Sequence, residues 1–168
     1  MHNNKHQRGL TLIELLVGIA ILGLLTSFAI PSFQRTIERN QTAALANDLL
    51  STFLLARSEA IKREQRVVVR SSRSWQQRWL VYSDTDRNGG FNPSRGDQLL
   101  AHVIPEHPAV QIVPHGRLQR RLTYTPSGRS LVPLNPGADY FELKRGQAVR
   151  YLCFTALGRP RIRREVCS

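Results

Sequence analysis

The sequence predicts an α+β protein: one long N-terminal helix packed on a largely antiparallel β-sheet head. Three observations carry that prediction. From Leu10 to Ile30 runs a 21-residue apolar segment broken by one charge, Glu14. Beyond Pro31, apolar residues keep near-helical spacing to about Lys62. After residue 65 the pattern changes to short β-type runs separated by Gly, Pro, Asn and Asp.

The apolar segment comes first. As a helix, 21 residues span about 31 Å, the thickness of a bilayer core. Lys5 and Arg8 precede it and would hold the leading end in the cytoplasm. No clear A-x-A-like cleavage site follows; "SFA" at 27–29 is a poor match. Glu14 is the anomaly, because an ionised carboxylate in an apolar span is costly and usually functional. An interfacial carboxylate favoured by the helix dipole is the plainer alternative.

Pro31 should kink or interrupt the helix. Residues 31–64 then read as an amphipathic continuation. Phe33, Ile37, Leu45, Leu49, Phe53 and Leu54 form the apolar side, and Arg35, Glu38, Arg39, Asp48 and Arg57 the polar one. Residues 65–168 read as the β-rich head. Its expected strands lie near 66–71, 79–83, 99–104, 110–113, 122–125, 140–144 and 149–154. No internal repeat is evident.

Charge narrows the partners. The chain carries 24 Lys and Arg against 12 acids, a net +12. Residues 111–168 hold 11 basic residues and 3 acids, so about two thirds of the excess lies in the last third. Such a balance points to an anionic partner. Arg outnumbers Lys 21 to 3, which codon bias would explain, but codon bias does not explain the shortage of acids. Arg159, Arg161, Arg163 and Arg164 stand within six residues, bracketed by the two cysteines, Cys153 and Cys167. In a reducing compartment those cysteines are incidental; in an exported protein they form one disulfide.

Other motifs are weaker. "DTDRNG" at 84–89 opens like a calcium loop, but Arg95 stands where such loops want a bidentate Glu, so a Gly-containing turn is expected. His2, His6, His102, His107 and His115 show no zinc-type spacing, so no metal or other cofactor is expected. "PSGRS" at 126–130 is not a nucleophile elbow and reads as a β-turn. No paired carboxylates share an element, and no enzymatic activity is expected. "SSRSWQQRW" at 71–79 interleaves Trp75 and Trp79 with Arg73 and Arg78; a half-buried strand is favoured over base stacking.

"RGLTLIELLVGIAILGLL" resembles the N-terminus of type IV prepilins and pseudopilins. The resemblance implies that residues 1–9 are a leader cut by a prepilin peptidase between Gly9 and Leu10. Leu10, where Phe is commonest in the family, would then be methylated. Glu14 would neutralise the N-terminal ammonium of a neighbouring subunit, which removes the penalty of an unpaired buried charge. Residues 10–30 would be the transmembrane and filament-core helix. The protein would sit in the inner membrane with its head in the periplasm, then join other pilins in an extracellular pilus.

"WLVYSDTDRNGGFNPSRGDQLL", "LTYTPSGRS" and "RYLCFTALGRPRI" resemble the FimT/GspH family of minor pilins and pseudopilins. FimT-type members of competent bacteria carry a C-terminal G-R-x-R motif, here Gly158, Arg159, Pro160 and Arg161. The resemblance implies binding of extracellular double-stranded DNA, largely independent of sequence, during natural transformation. Arg163 and Arg164 would extend the basic loop, and Lys144, Arg145 and Arg150 would widen it if they share its face. A Cys153–Cys167 bond would pre-order the loop. Two rivals use the same stem: a structural minor pilin that primes assembly, and a type II secretion pseudopilin.

Overall fold

The computed structural model describes residues 12–168; the leader, Gly9 and Leu10 lie outside the described residues. Helix α1 spans Leu12–Arg63, with Glu14 in its first turn. Eight strands follow: β1 (Val67–Ser71), β2 (Trp79–Ser83), β3 (Leu99–Val103), β4 (Gln111–Pro114), β5 (Arg121–Tyr124), β6 (Tyr140–Arg145), β7 (Ala148–Phe154) and β8 (Pro160–Arg163). They form two four-stranded sheets, β3-β2-β1-β5 and β4-β6-β7-β8, with every pairing antiparallel. Seven strands stand where alternation and turn residues predict them. The eighth, β8, was expected as loop.

The chain divides into two compact units, residues 1–37 and residues 38–168. In the first, α1 is long and apolar enough to cross a membrane. Two hydroxyls in its apolar stretch satisfy themselves on the helix: Thr26 Oγ1 donates to the Gly23 carbonyl at 2.9 Å and Ser27 Oγ to the Leu24 carbonyl at 2.7 Å. That is how hydroxyls persist in an apolar span. The helix runs on through Pro31 into the expected continuation, without the interruption that the proline allowed. A proline removes one backbone donor, and the turns on either side keep theirs.

In the second unit the buried stripe of α1 is Leu45, Leu49, Phe53, Ala56 and Ala60, at spacings of four, four, three and four. Phe33 and Leu54, expected on that side, are exposed. The stripe packs against the inner faces of both sheets: Val67, Val69, Val81 and Leu122 from one, Phe141, Leu143, Leu152 and Phe154 from the other. Phe53 is the pivot, with ring centroids 5.0–5.9 Å from those of Trp75, Phe141 and Phe154. Both tryptophans are core residues. Trp75 Nε1 donates to the Leu118 carbonyl at 3.0 Å, and Trp79 Nε1 to Thr52 Oγ1 at 3.1 Å. Neither ring is available for base stacking.

The 84–97 segment covers the outer face of the first sheet. Phe91 lies 5.3 Å from Tyr82, whose hydroxyl donates to the Gly89 carbonyl at 2.9 Å. The carboxylates of Asp84, Asp86 and Asp97 each bring an oxygen within 4.8 Å of the others. Each is engaged in building the turn. Asp84 accepts from Gly89 N at 3.1 Å, and Asp97 from Thr85 N and Asn92 N at 2.8 Å. Asp86 pairs with Arg95 at 3.2 Å.

Candidate nucleic-acid interface

The arginine-rich tail is built on a hairpin. Thr155 N donates to the Arg159 carbonyl at 3.0 Å and Gly158 N to the Thr155 carbonyl at 2.8 Å, closing a tight loop between β7 and β8. Gly158 sits at φ 82°, in the left-handed region. A Cβ there would lie 2.9 Å from Ser130 Cβ and 3.2 Å from Tyr124 Cε1, so the site demands glycine twice over. Its carbonyl accepts from the buried Tyr124 hydroxyl at 2.7 Å. Burial pushes that hydroxyl far above the ordinary tyrosine range, so it remains a donor. Gly158 is itself buried. It aims the following arginine rather than offering a surface.

β8 is an edge strand that pairs only with β7. Its register sets Pro160 opposite Phe154, Arg161 opposite Cys153, Ile162 opposite Leu152 and Arg163 opposite Tyr151. Pro160 and Ile162 turn inward with the core residues. Arg161 and Arg163 turn outward, and both are exposed, as are Arg159 and Arg164. The expected loop is therefore a strand, with Pro160 at its first position, where a missing donor is tolerated.

The far end is tied down. Cys153 and Cys167 form a disulfide with Cα atoms 5.6 Å apart. The last residues thus fold back on β7, and Ser168 Oγ lies 3.5 Å from Arg163 Nη1. The guanidiniums are presented by a strand fixed at both ends.

The register also sorts the flanking cations. Lys144 pairs with Val149, in the outward phase shared with Arg161 and Arg163. Arg150 lies opposite the core residue Leu143, and Arg145 opposite Ala148, in the inward phase. These two do not widen the patch, because successive strand residues alternate faces. On the outward side, His115 stacks on Tyr140 at 4.3 Å, and its Nε2 lies 3.6 Å from Glu142.

One feature escaped sequence reading. "LTYTPSGRS" and "LCFTALGRP" share L-x-aromatic-T-x-x-G-R at an offset of 30 residues. The expectation of no internal repeat is corrected on this point. At the first copy Thr125 N donates to the Arg129 carbonyl and Gly128 N to the Thr125 carbonyl, each at 2.8 Å. Gly128 has φ 70°. The turn expected at "PSGRS" is there, and it is the twin of the tail hairpin.

Residues 45–158 match the family model described as Type II transport protein GspH, and residues 4–30 match the prokaryotic N-terminal methylation motif. The chain belongs to the GspH family. Among curated proteins, this GspH-family chain is 28% identical to the pilin-like protein PilA1 of Thermus thermophilus, over 93% of its own length and 98% of that protein. It is 44% identical to the type IV major alpha-pilin of Moraxella bovis, over 26% of this chain. Among solved structures, the type IV minor pilin FimU of Pseudomonas aeruginosa superposes with a TM-score of 0.58 at 18% identity, covering 76% of this chain and 90% of that one. The long helix with antiparallel sheets is thus the minor-pilin fold. The family is one of structural pilins and pseudopilins, with an N-terminal helix of the kind that anchors pilins in the inner membrane.

Proposed function

We propose that this chain is a FimT-type minor pilin that binds extracellular double-stranded DNA through Arg159, Arg161, Arg163 and Arg164 during natural transformation. The carrying observation is the phase of β8: its arginines alternate outward from a strand fixed by the Gly158 hairpin and the disulfide. A guanidinium fork suits a phosphate, and fixing the strand beforehand lowers the ordering cost of binding. Residues two apart on a strand stand about 6.7 Å apart, so Arg159 to Arg163 span about 13 Å. A duplex carries about eight phosphates over that length, enough for each arginine to find one. Contacts of this kind carry no direct base readout, so binding is largely sequence-independent. Lys144 would extend the contact along the same face.

In this reading a prepilin peptidase cuts between Gly9 and Leu10, Leu10 is methylated, and Glu14 serves assembly with other pilins. The head faces the periplasm until the subunit enters the extracellular pilus. Several subunits on one strand would add avidity. The family description favours one other reading, a type II secretion pseudopilin. The full chain in nonionic detergent, tested by gel shift with duplex DNA at 50 mM salt, separates them. A shift lost in Arg159→Gln/Arg161→Gln, with unfolding unchanged, supports the DNA reading. No shift, together with loss of exoenzyme secretion on deletion, supports the pseudopilin.

A further inference from the structure

The tail hairpin has a twin, and the twin offers an arginine in the same position. Thr125 to Ser130 and Thr155 to Pro160 follow the same order of half-exposed, exposed, exposed, buried, exposed and buried residues. In each, a left-handed glycine precedes an exposed arginine, Arg129 or Arg159. In each, the glycine carbonyl is capped by a side chain: Arg57 Nε donates to Gly128 O at 2.8 Å, and Tyr124 Oη to Gly158 O at 2.7 Å. The loops touch. Ser130 N donates to the Leu157 carbonyl at 3.0 Å, and Gly158 packs against Ser130. Arg129 precedes that bond by one residue and Arg159 follows Leu157 by two. At 3.8 Å per Cα step, three steps and that one hydrogen bond separate the two arginines along the backbone, within the reach of a single duplex.

We propose that Arg129 is a further phosphate-binding residue, so that paired T-x-x-G-R hairpins grip the DNA backbone together. The proposal rests on the DNA reading above and extends its footprint from β8 onto the β5 hairpin. Arg57, beneath the first hairpin, adds a second positive charge there. Two acids, Glu64 and Asp84, line the cleft beside Thr125 and Pro126, together with Arg66 and Arg87. The packing favours this arrangement, because both loops are held before any ligand arrives, one by the half-buried Arg57 and the other by the buried Tyr124.

The test is fluorescence anisotropy with a labelled 30-base-pair duplex and the full chain in nonionic detergent, from 50 to 200 mM salt. Each neutralised phosphate contributes about −0.9 to the slope of log K against log salt. Arg129→Gln should therefore make the slope less negative by about 0.9 and weaken binding about eightfold at 0.1 M salt. Arg73→Gln removes the same net charge elsewhere and should change neither to that extent. Arg129→Lys should keep the slope. An Arg129→Gln variant that matches Arg73→Gln overturns the proposal and leaves the β8 reading intact. Equal losses in Arg129→Lys and Arg129→Gln also overturn it, since they would report a structural role. Wild-type protein that binds no duplex at 50 mM salt overturns both readings.

Discussion

The two glycines at the heart of the hairpins should differ in what they tolerate. Gly158→Ala and Gly128→Ala impose the same backbone change, since both glycines lie at positive φ, 82° and 70°. Placing an alanine in that region costs about 1–2 kcal/mol. The surroundings then separate them. The new methyl at 158 would stand 2.9 Å from Ser130 Cβ, 3.1 Å from Ser130 N and 3.2 Å from Tyr124 Cε1. A backbone nitrogen and a fully buried ring cannot withdraw, so overpacking adds about 1–3 kcal/mol. At 128 the nearest atom is Ile61 Cδ1, the tip of a half-exposed flexible side chain that can swing away. The expected costs are thus about 2–5 kcal/mol for Gly158→Ala and about 1–2 kcal/mol for Gly128→Ala. Urea unfolding of the full chain in nonionic detergent measures both, with the emission of buried Trp75 and Trp79 reporting on the head. Equal costs, or a Gly158→Ala cost below 1 kcal/mol, would refute the packing argument.

Reducing the Cys153–Cys167 bond should remove about 3 kcal/mol in the chain-entropy model. It should also weaken DNA binding by freeing the far end of β8; melting and anisotropy with and without reductant check both, and no change in either contradicts the role given to the bond. Asp48 has its carboxyl pushed up first by burial, then by neighbouring Glu106, with His107 opposing. A carboxyl raised in the folded state holds more protons folded than unfolded, so stability falls as pH rises from the ordinary value through the raised one. Asp48→Asn should flatten that stretch of the melting-temperature profile; an unchanged slope just above the ordinary carboxylate range would contradict it.

What could be read in the sequence follows from which residues carried a period. The apolar span and seven strands announced themselves by hydrophobic spacing. β8 did not, because P-R-I-R offers one apolar residue between arginines and begins with a proline. Its strand character comes from pairing with β7, a long-range contact invisible to a local window. The same blindness hid the face assignment of Lys144, Arg145 and Arg150, since a one-residue difference in phase reverses a side chain. Phe33 fits a helical stripe as well as Leu45 does, but Phe33 is exposed and Leu45 is buried. "DTDRNG" has the composition of a cation loop, and its acids instead hold backbone amides over Tyr82. The twin hairpins were legible as text, L-x-aromatic-T-x-x-G-R twice, but their significance needed the bond between Ser130 and Leu157.

The most direct test of the central claim is the salt dependence of duplex binding for the full wild-type chain and for Arg159→Gln/Arg161→Gln. Two lost phosphate contacts should make the slope of log K against log salt less negative by about 1.8 and weaken binding about sixtyfold at 0.1 M salt. A double variant that keeps the wild-type slope, while its head unfolds at the wild-type midpoint, would show that the outward arginines of β8 are not the DNA contact.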